Sequence, residues 1–304
     1  MNGLLVSLQD AVVQGVLWGI MVLGVYITYK LLDIADLTVD GSFALGGCVC
    51  AVMVLNKGGH PWIALIIAAA AGMAAGAVTG FLHTVFEIPA ILAGILTQIG
   101  LWSINLRIMG GKSNVPLLKT DTIFSKIIGW TGINKQLASL LLGIGVAVLM
   151  IAFLYWFFGT EIGSAMRATG NNEAMIRAQG VNTNWTKLLA LTISNGLVGL
   201  SGALVCQSQK YADIGMGTGA IVIGLAAIVI GDVLMGRLRS FGSKLTSAVV
   251  GSVIYFVIRA VVLRMGMNAN DMKLLSAVIV AVALCVPVVV RKWRLKKAYT
   301  EGGE

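Results

Sequence analysis

The sequence is poor in charge. Only 12% of its 304 residues are Asp, Glu, Lys or Arg, against 58% hydrophobic residues. A soluble domain of this size needs far more charge to cover its surface, so that class is excluded. Histidine is nearly missing: His60 and His83 stand beside the ends of apolar runs with no second ligand or nucleophile nearby, and read as amphipathic residues at an interface. The four cysteines, Cys48, Cys50, Cys206 and Cys285, lie in or beside apolar runs at spacings that fit no zinc pattern and read as small lipid- or core-facing residues. An enzyme working inside a membrane needs a metal cluster or a nucleophile–base pair, and the sequence offers neither. The opening MNGLLVSLQD lacks the basic start and small-residue cleavage site of a secretory signal, so the first span is expected to be retained.

Two apparent nucleotide motifs fail on context. The stretch GGKS, Gly110 to Ser113, resembles the end of a P-loop, but the pattern needs glycine where Leu106 stands. Gly215, Gly217 and Ala220 match a dinucleotide fingerprint, yet they open an apolar span where a soluble strand–turn–helix is required.

What the chain has is repeated apolar runs of about 20 residues, each enough to cross a bilayer as a helix. Mean hydropathy is +0.90, and the runs do not alternate as β-barrel strands do. The expected spans are 11–30, 40–56, 62–82, 88–108, 136–158, 186–206, 216–234, 244–264 and 273–290. The fold class is therefore an all-α polytopic membrane protein, with eight to ten transmembrane helices in a single domain over 1–304. The net charge of +9 belongs to cytoplasmic ends rather than to nucleic-acid binding. The run RKWRLKK, Arg291 to Lys297, places the tail, 291–304, in the cytoplasm. Nine spans then put the N-terminus outside, the 159–186 loop inside and the 110–135 segment outside. Within that segment, Thr120 to Trp130 suits a short interfacial helix with aromatic anchors.

Glycines are placed with a pattern. Gly72, Gly76 and Gly80 fall four apart, giving one smooth helix face for close approach of a neighbour; Gly15 and Gly19 repeat the spacing. The stretch LTVDGSFALGG, Leu37 to Gly47, has a looser partner in ADIGMGTGAIVIG, Ala212 to Gly224. Each follows an apolar run and brings an aspartate and glycines to the start of a short span. Interrupted segments in corresponding places of two halves point to an inverted repeat, with halves about 1–135 and 136–290. Irregular backbone at membrane depth is tolerated beside protein or a wet cavity, so Asp40 and Ser42 are candidates for a polar passage or for capping the following helix. Asp213 has the same two readings. Gln98, Asn105, Asn195 and Ser201 are the other candidate path residues, each equally readable as glue between helices.

The most informative loop is GTEIGSAMRATGNNEAMIRAQGVN, Gly159 to Asn182. Asn171 or Asn172 suits a helix cap, Glu173 the first turn, and Gly180 a stop, so Glu173 to Gln179 is expected to form a short cytoplasmic helix. The pattern at Gly163, Ala165, Arg167 and Ala168, followed by Asn171, Ala174 and Gly180, resembles the coupling loop of ABC importer permeases. The branch in question serves branched-chain amino acids, ribose and related solutes. The resemblance covers nearly the whole chain, including Asp40 to Gly47 and Gly215 to Gly231, and is closest to a subgroup assigned tryptophan, tyrosine or uncharacterised solutes. It implies a type II importer-like permease with no cofactor of its own, ATP and Mg being held by a partner ATPase. It further implies a homodimer in the bacterial cytoplasmic membrane, gripped by the ATPase dimer at Gly163 to Gly180, with Asn172, Glu173, Met175 and Arg177 among the contacts. An extracellular or periplasmic solute-binding protein would deliver solute to the outer segment. The main rival is an ion-coupled secondary carrier, which usually needs ionisable groups deep in the membrane. The charges read in or beside the spans, Glu87, Arg107, Asp232, Arg259 and Arg264, all fall near predicted ends.

Overall fold

Long apolar runs become helices because lipid offers no partner to a backbone N–H or C=O, and a helix satisfies both internally. The structure, a computed structural model, describes residues 2–56, 60–118, 120–132, 134–235, 240–266, 271, 274–282, 285, 289 and 292. Its helices are α1 (Asn2–Tyr26), α2 (Thr38–Leu55), α3 (Pro61–Thr84), α4 (Ala90–Ile108), α5 (Ile123–Thr131), α6 (Lys135–Phe157), α7 (Glu161–Asn171), α8 (Glu173–Ala178), α9 (Thr183–Gln209), α10 (Ala220–Met235) and α11 (Phe241–Arg264). Among the described residues seven helices are long and apolar enough to cross a membrane. The eighth, α10, has 16 residues; at 1.5 Å each that is about 24 Å, short of a hydrocarbon core of ~30 Å. The ninth expected span is helical over 274–282. The basic run from Arg291 lies almost wholly outside the described residues, as do residues 236–239.

Two expectations change. The first helix starts at Asn2 rather than at residue 11, and it continues past Tyr26 as a π turn over Ile27–Leu31. A two-stranded antiparallel ribbon, absent from the all-α reading, joins β1 (Asn114–Pro116) to β2 (Tyr211–Asp213), with Val115 opposite Ala212. The interfacial helix is found as α5, started by a reciprocal cap between Thr122 and Ser125. It is tied to the bundle where the buried Gln207 accepts the Ile123 N–H at 2.9 Å.

Two long helices organise the bundle. α1 is apolar all round, and 89% of its most apolar window is buried, as expected of a helix with no lipid-facing side. It packs against α11, α9, α6 and α10, while α9 packs against α3, α2 and α1. The helix pair α2–α3 thus rests on α9, and the pair α10–α11 on α1. Each long helix lies against the pair that follows the other. Ser194 bonds the carbonyl of Gly24 and Ser201 that of Leu17, each at 2.8 Å; as α9 advances α1 recedes, so the two are antiparallel. That is the packing an inverted repeat produces.

The repeat is aligned differently from the sequence reading, which set Asp40 beside Asp213. Asp36 and Asp213 are the equivalents. Each follows one of the long helices, and each accepts the N–H two residues ahead: Thr38 at 2.9 Å and Gly215 at 2.7 Å.

The glycine stripe of α3 faces α9. A methyl group at Gly72 would collide with the carbonyl oxygen of Asn195, and one at Gly76 with that of Leu191. On α6, Gly145 is exposed and has nothing within 4 Å of such a group. Gly76→Leu is therefore expected to destabilise the bundle by about 1–3 kcal/mol or more, as overpacking against backbone does, while Gly145→Leu leaves it unchanged. Thermal unfolding of the detergent-solubilised variants, followed by size-exclusion fluorescence, reads the difference.

Candidate functional site

The loop after α6 folds as two helices, where one was expected. Thr160 caps α7, its hydroxyl accepting the Gly163 N–H at 3.3 Å. Asn172 ends α7 and caps α8, accepting the Met175 N–H at 3.0 Å. Of the two candidate caps, Asn172 is the one used. Gly180 takes φ +87°, where glycine carries no Cβ penalty, and ends the turn. α7 is amphipathic: Gly163, Met166 and Thr169 are buried, while Glu161, Ser164 and Arg167 are exposed.

Several expected contacts with a partner are used internally. A side chain at Gly163 would strike the backbone of Phe157 and Phe158, and one at Gly170 the carbonyl of Leu31. Gly163 folds α7 back on the end of α6, and Gly170 docks it under the π turn that ends α1. The Arg167 guanidinium lies 4.7 Å from the ring centre of Phe241 on α11. Ala165 and Ala168 are half-buried between these contacts. Glu173 pairs with Arg177 at 2.9 Å and Lys187 at 2.7 Å, and accepts the Thr183 hydroxyl at 3.0 Å. Arg177 also donates to Thr183. The bonded Lys187 ammonium holds the Glu173 carboxyl below its ordinary value, with Thr183 and Arg177 adding to the effect. Glu173 and Arg177 therefore clamp α8 to the first turn of α9. What remains outward is Met175, half exposed, with Ala174 and Ala178 beside it, Asn171 at the end of α7, and Ile162 and Trp185 flanking. Next to this face is a polar cavity of about 410 Å³ lined by His83, Glu87, Arg177, Thr183 and Lys187.

The expected path residues are mostly bonds between elements. Asn195, fully buried, accepts the Ser42 hydroxyl at 2.6 Å and donates to Asp36 at 2.7 Å and to the Leu191 carbonyl at 3.0 Å. Ser42 and Ser201 are fully buried too. Asp40 is a cap, but not for its own helix. Its carboxylate accepts the Gly219 and Ile221 N–H groups, at 2.8 and 3.0 Å, at the start of α10. Asp213 accepts from Asn114 across the ribbon at 3.3 Å. Asn105 is buried and donates weakly to the Gly41 carbonyl at 3.5 Å, its own oxygen unpartnered. Gln98 is half-buried on α4, as Asp40 and Asp213 are at their own positions.

The residue that sequence reasoning missed is Asp36. It is 2% exposed and sits at the level of Asn195, midway along α9. Its signal was present: Ala-Asp-Leu at 35–37 recurs as Ala-Asp-Ile at 212–214. A chain of hydroxyls continues from it: Thr38 bonds Thr79 at 2.7 Å, and Thr79 bonds Thr97 at 2.9 Å.

Comparison with known proteins adds an independent line. The family model described as branched-chain amino acid transport system / permease component matches residues 7–284. A tyrosine transport system permease protein of Clostridioides difficile is 38% identical over 88% of this chain and 86% of its own. An uncharacterized protein of Rickettsia prowazekii is 30% identical over 93% and 97%. The ribose import permease protein of Escherichia coli is 25% identical over 83% and 76%.

Two outcomes follow from the bonding. Asn195→Ala strands a buried carboxylate oxygen and a hydroxyl, and is expected to cost about 1–3 kcal/mol or more of stability; Asn195→Asp, which keeps an acceptor for Ser42 but adds a like charge beside Asp36, is expected to be no better. Thermal unfolding of both variants against wild type measures it. The Glu173 clamp is 38% exposed on the carboxylate side, so it contributes no more than about 1 kcal/mol. Because its folded pKa is lowered, that contribution is complete above the ordinary value of 4.5 and is lost as pH falls through the lowered one. Limited proteolysis of the α7–α9 junction is expected to accelerate in wild type over that acid window, with Glu173→Gln already fast at neutral pH.

Proposed function

The chain belongs to the family of branched-chain amino acid transport system permease components, and on that premise we propose that it imports an amino acid, aromatic or branched-chain, driven by ATP hydrolysis on a partner. Permease components of ABC transporters carry no ATPase of their own; the import system supplies that subunit and a solute-binding protein. The carrying observation is the α7–α8 face. It is built as a rigid two-helix unit, yet leaves Met175 and Ile162 half exposed, which suits a hydrophobic anchor for another protein's groove. Movement there has a direct route inward. Gly170 seats α7 on Leu31 and Leu32, and the chain runs on four residues to Asp36 and six to the start of α2.

The amino-acid assignment rests on the tyrosine permease of Clostridioides difficile, the relative at 38% identity. The pairing of two such chains as a homodimer in the bacterial plasma membrane rests on the resemblance alone; a cytoplasmic C-terminus rests on the basic run Arg291 to Lys297.

Reconstitution with a partner ATPase and a solute-binding protein of the import system provides the test. Solute is expected to accumulate in liposomes with ATP, and not with an ion gradient alone. Met175→Asp and Ile162→Asp are expected to lower uptake tenfold or more while the variants still insert and unfold at the wild-type temperature. Uptake by the lone chain on an ion-motive force, or full coupling in both variants, overturns the reading.

A further inference from the structure

A charge near a membrane core is costly, and one facing a hollow normally serves the hollow. Asp10 on α1 and Arg259 on α11 line the same cavity, of about 990 Å³, at the end of the bundle opposite α7 and α8. Among the described residues no ion pair joins them. The Arg259 guanidinium stands 5.7 Å from the ring centre of Phe256, which is 5.5 Å from that of Trp18, and both rings line the cavity. Two amides complete the polar lining: Gln209 donates to Gln14 at 3.4 Å. None of the residues expected along a path from the sequence is among its lining.

This lining has a specific chemistry. A cation and an anion that do not neutralise each other suit a molecule carrying both charges. Guanidinium binds carboxylate through two parallel hydrogen bonds, and an ammonium suits a carboxylate at an exposed position such as Asp10. The Trp18 and Phe256 rings, tilted by 47° to each other, add an aromatic wall against which a third ring can lie. The volume lies at the upper end of the ~300–1,000 Å³ of small-molecule sites. A sugar would engage the amides and leave both charges unpaired.

We propose that this cavity is a solute-receiving site within each protomer that binds a zwitterionic α-amino acid with an aromatic side chain. The ammonium lies at Asp10, the carboxylate at Arg259 and the ring against Trp18 and Phe256. The assignment rests on the amino-acid importer reading above and makes its substrate class explicit. A zwitterionic lipid headgroup carries the same pair of charges, so the test separates the two sources.

The purified full chain is placed in nanodiscs of phosphatidylglycerol alone, and binding of radiolabelled tyrosine is measured. Wild type is expected to bind. Asp10→Asn and Arg259→Gln are each expected to weaken binding tenfold or more, and Arg259→Lys to recover part of it. Tyramine, which lacks the carboxylate, is expected to compete weakly and to be indifferent to Arg259→Gln. No binding to wild type, or equal binding by all variants, overturns the proposal. So does displacement of tyrosine by phosphatidylethanolamine that the two variants relieve, which assigns the cavity to lipid. In the complete liposome system, ATP-driven import with wild-type KM in both variants overturns the cavity assignment and leaves the importer standing; no ATP-driven import in wild type removes the importer instead.

Discussion

A backbone that bends inside an apolar bundle must find partners for the N–H groups the bend releases, and in this protein carboxylates supply them. Asp36 and Asp213 each take the amide two residues ahead, and Asp40 takes two amides at the start of α10. An unsatisfied amide in hydrocarbon costs several kcal/mol, so without these acceptors the breaks would not hold. The cost is moved to the carboxylates, which must themselves be buried or half-buried. Asn195 relieves the deepest of them by donating to Asp36 while accepting from Ser42. One amide thereby links α9, α2 and the connection from α1, and the positions of α2 and α10 both follow from it and from Asp40.

The sequence made the helices legible because lipid imposes one rule on every span. The glycine stripe on α3 was legible for a related reason: only close approach explains three glycines at fourfold spacing, and the structure supplies the carbonyls they meet. The α8 cap and stop could be read from Asn172 and Gly180, whose geometry is local. What escaped was long-range. Nothing near Asp40 in the chain reveals that its partners are Gly219 and Ile221, and nothing near Glu173 points to Lys187. A polar side chain in an apolar span reads equally as lining or as glue until its partner is known; for Ser42, Asn195 and Ser201 the partners are other helices. Asp36 was overlooked because it stands in a short connection, which reads as solvated but turns back to the depth of Asn195. The helix α7 was overlooked because its small residues suggested a loop, when they are small to fit beneath α1.

The two ends of the molecule are built on different principles. At one, α7 and α8 are fixed by caps, glycine contacts and the Glu173 clamp, and Met175, Ile162 and Trp185 are the large apolar side chains offered outward. At the other, α1, α10 and α11 wall a hollow that carries two opposed charges. A stiff end suits receiving force, and an open end suits receiving a molecule. Between them runs α1, whose π turn touches α7 and whose first turns wall the hollow.

The exchange of partners between α1 and α9 sets an order on assembly. The carbonyls of Gly15, Leu17 and Gly24 are bonded by Ser252, Ser201 and Ser194, residues that leave the ribosome long after α1 has entered the bilayer. The first helix made is among the last to be enclosed. Until the second half arrives it must wait in lipid with its packing surface bare, so a polypeptide truncated before α9 has no native resting state, and membrane quality control has a ready mark by which to recognise an unfinished copy.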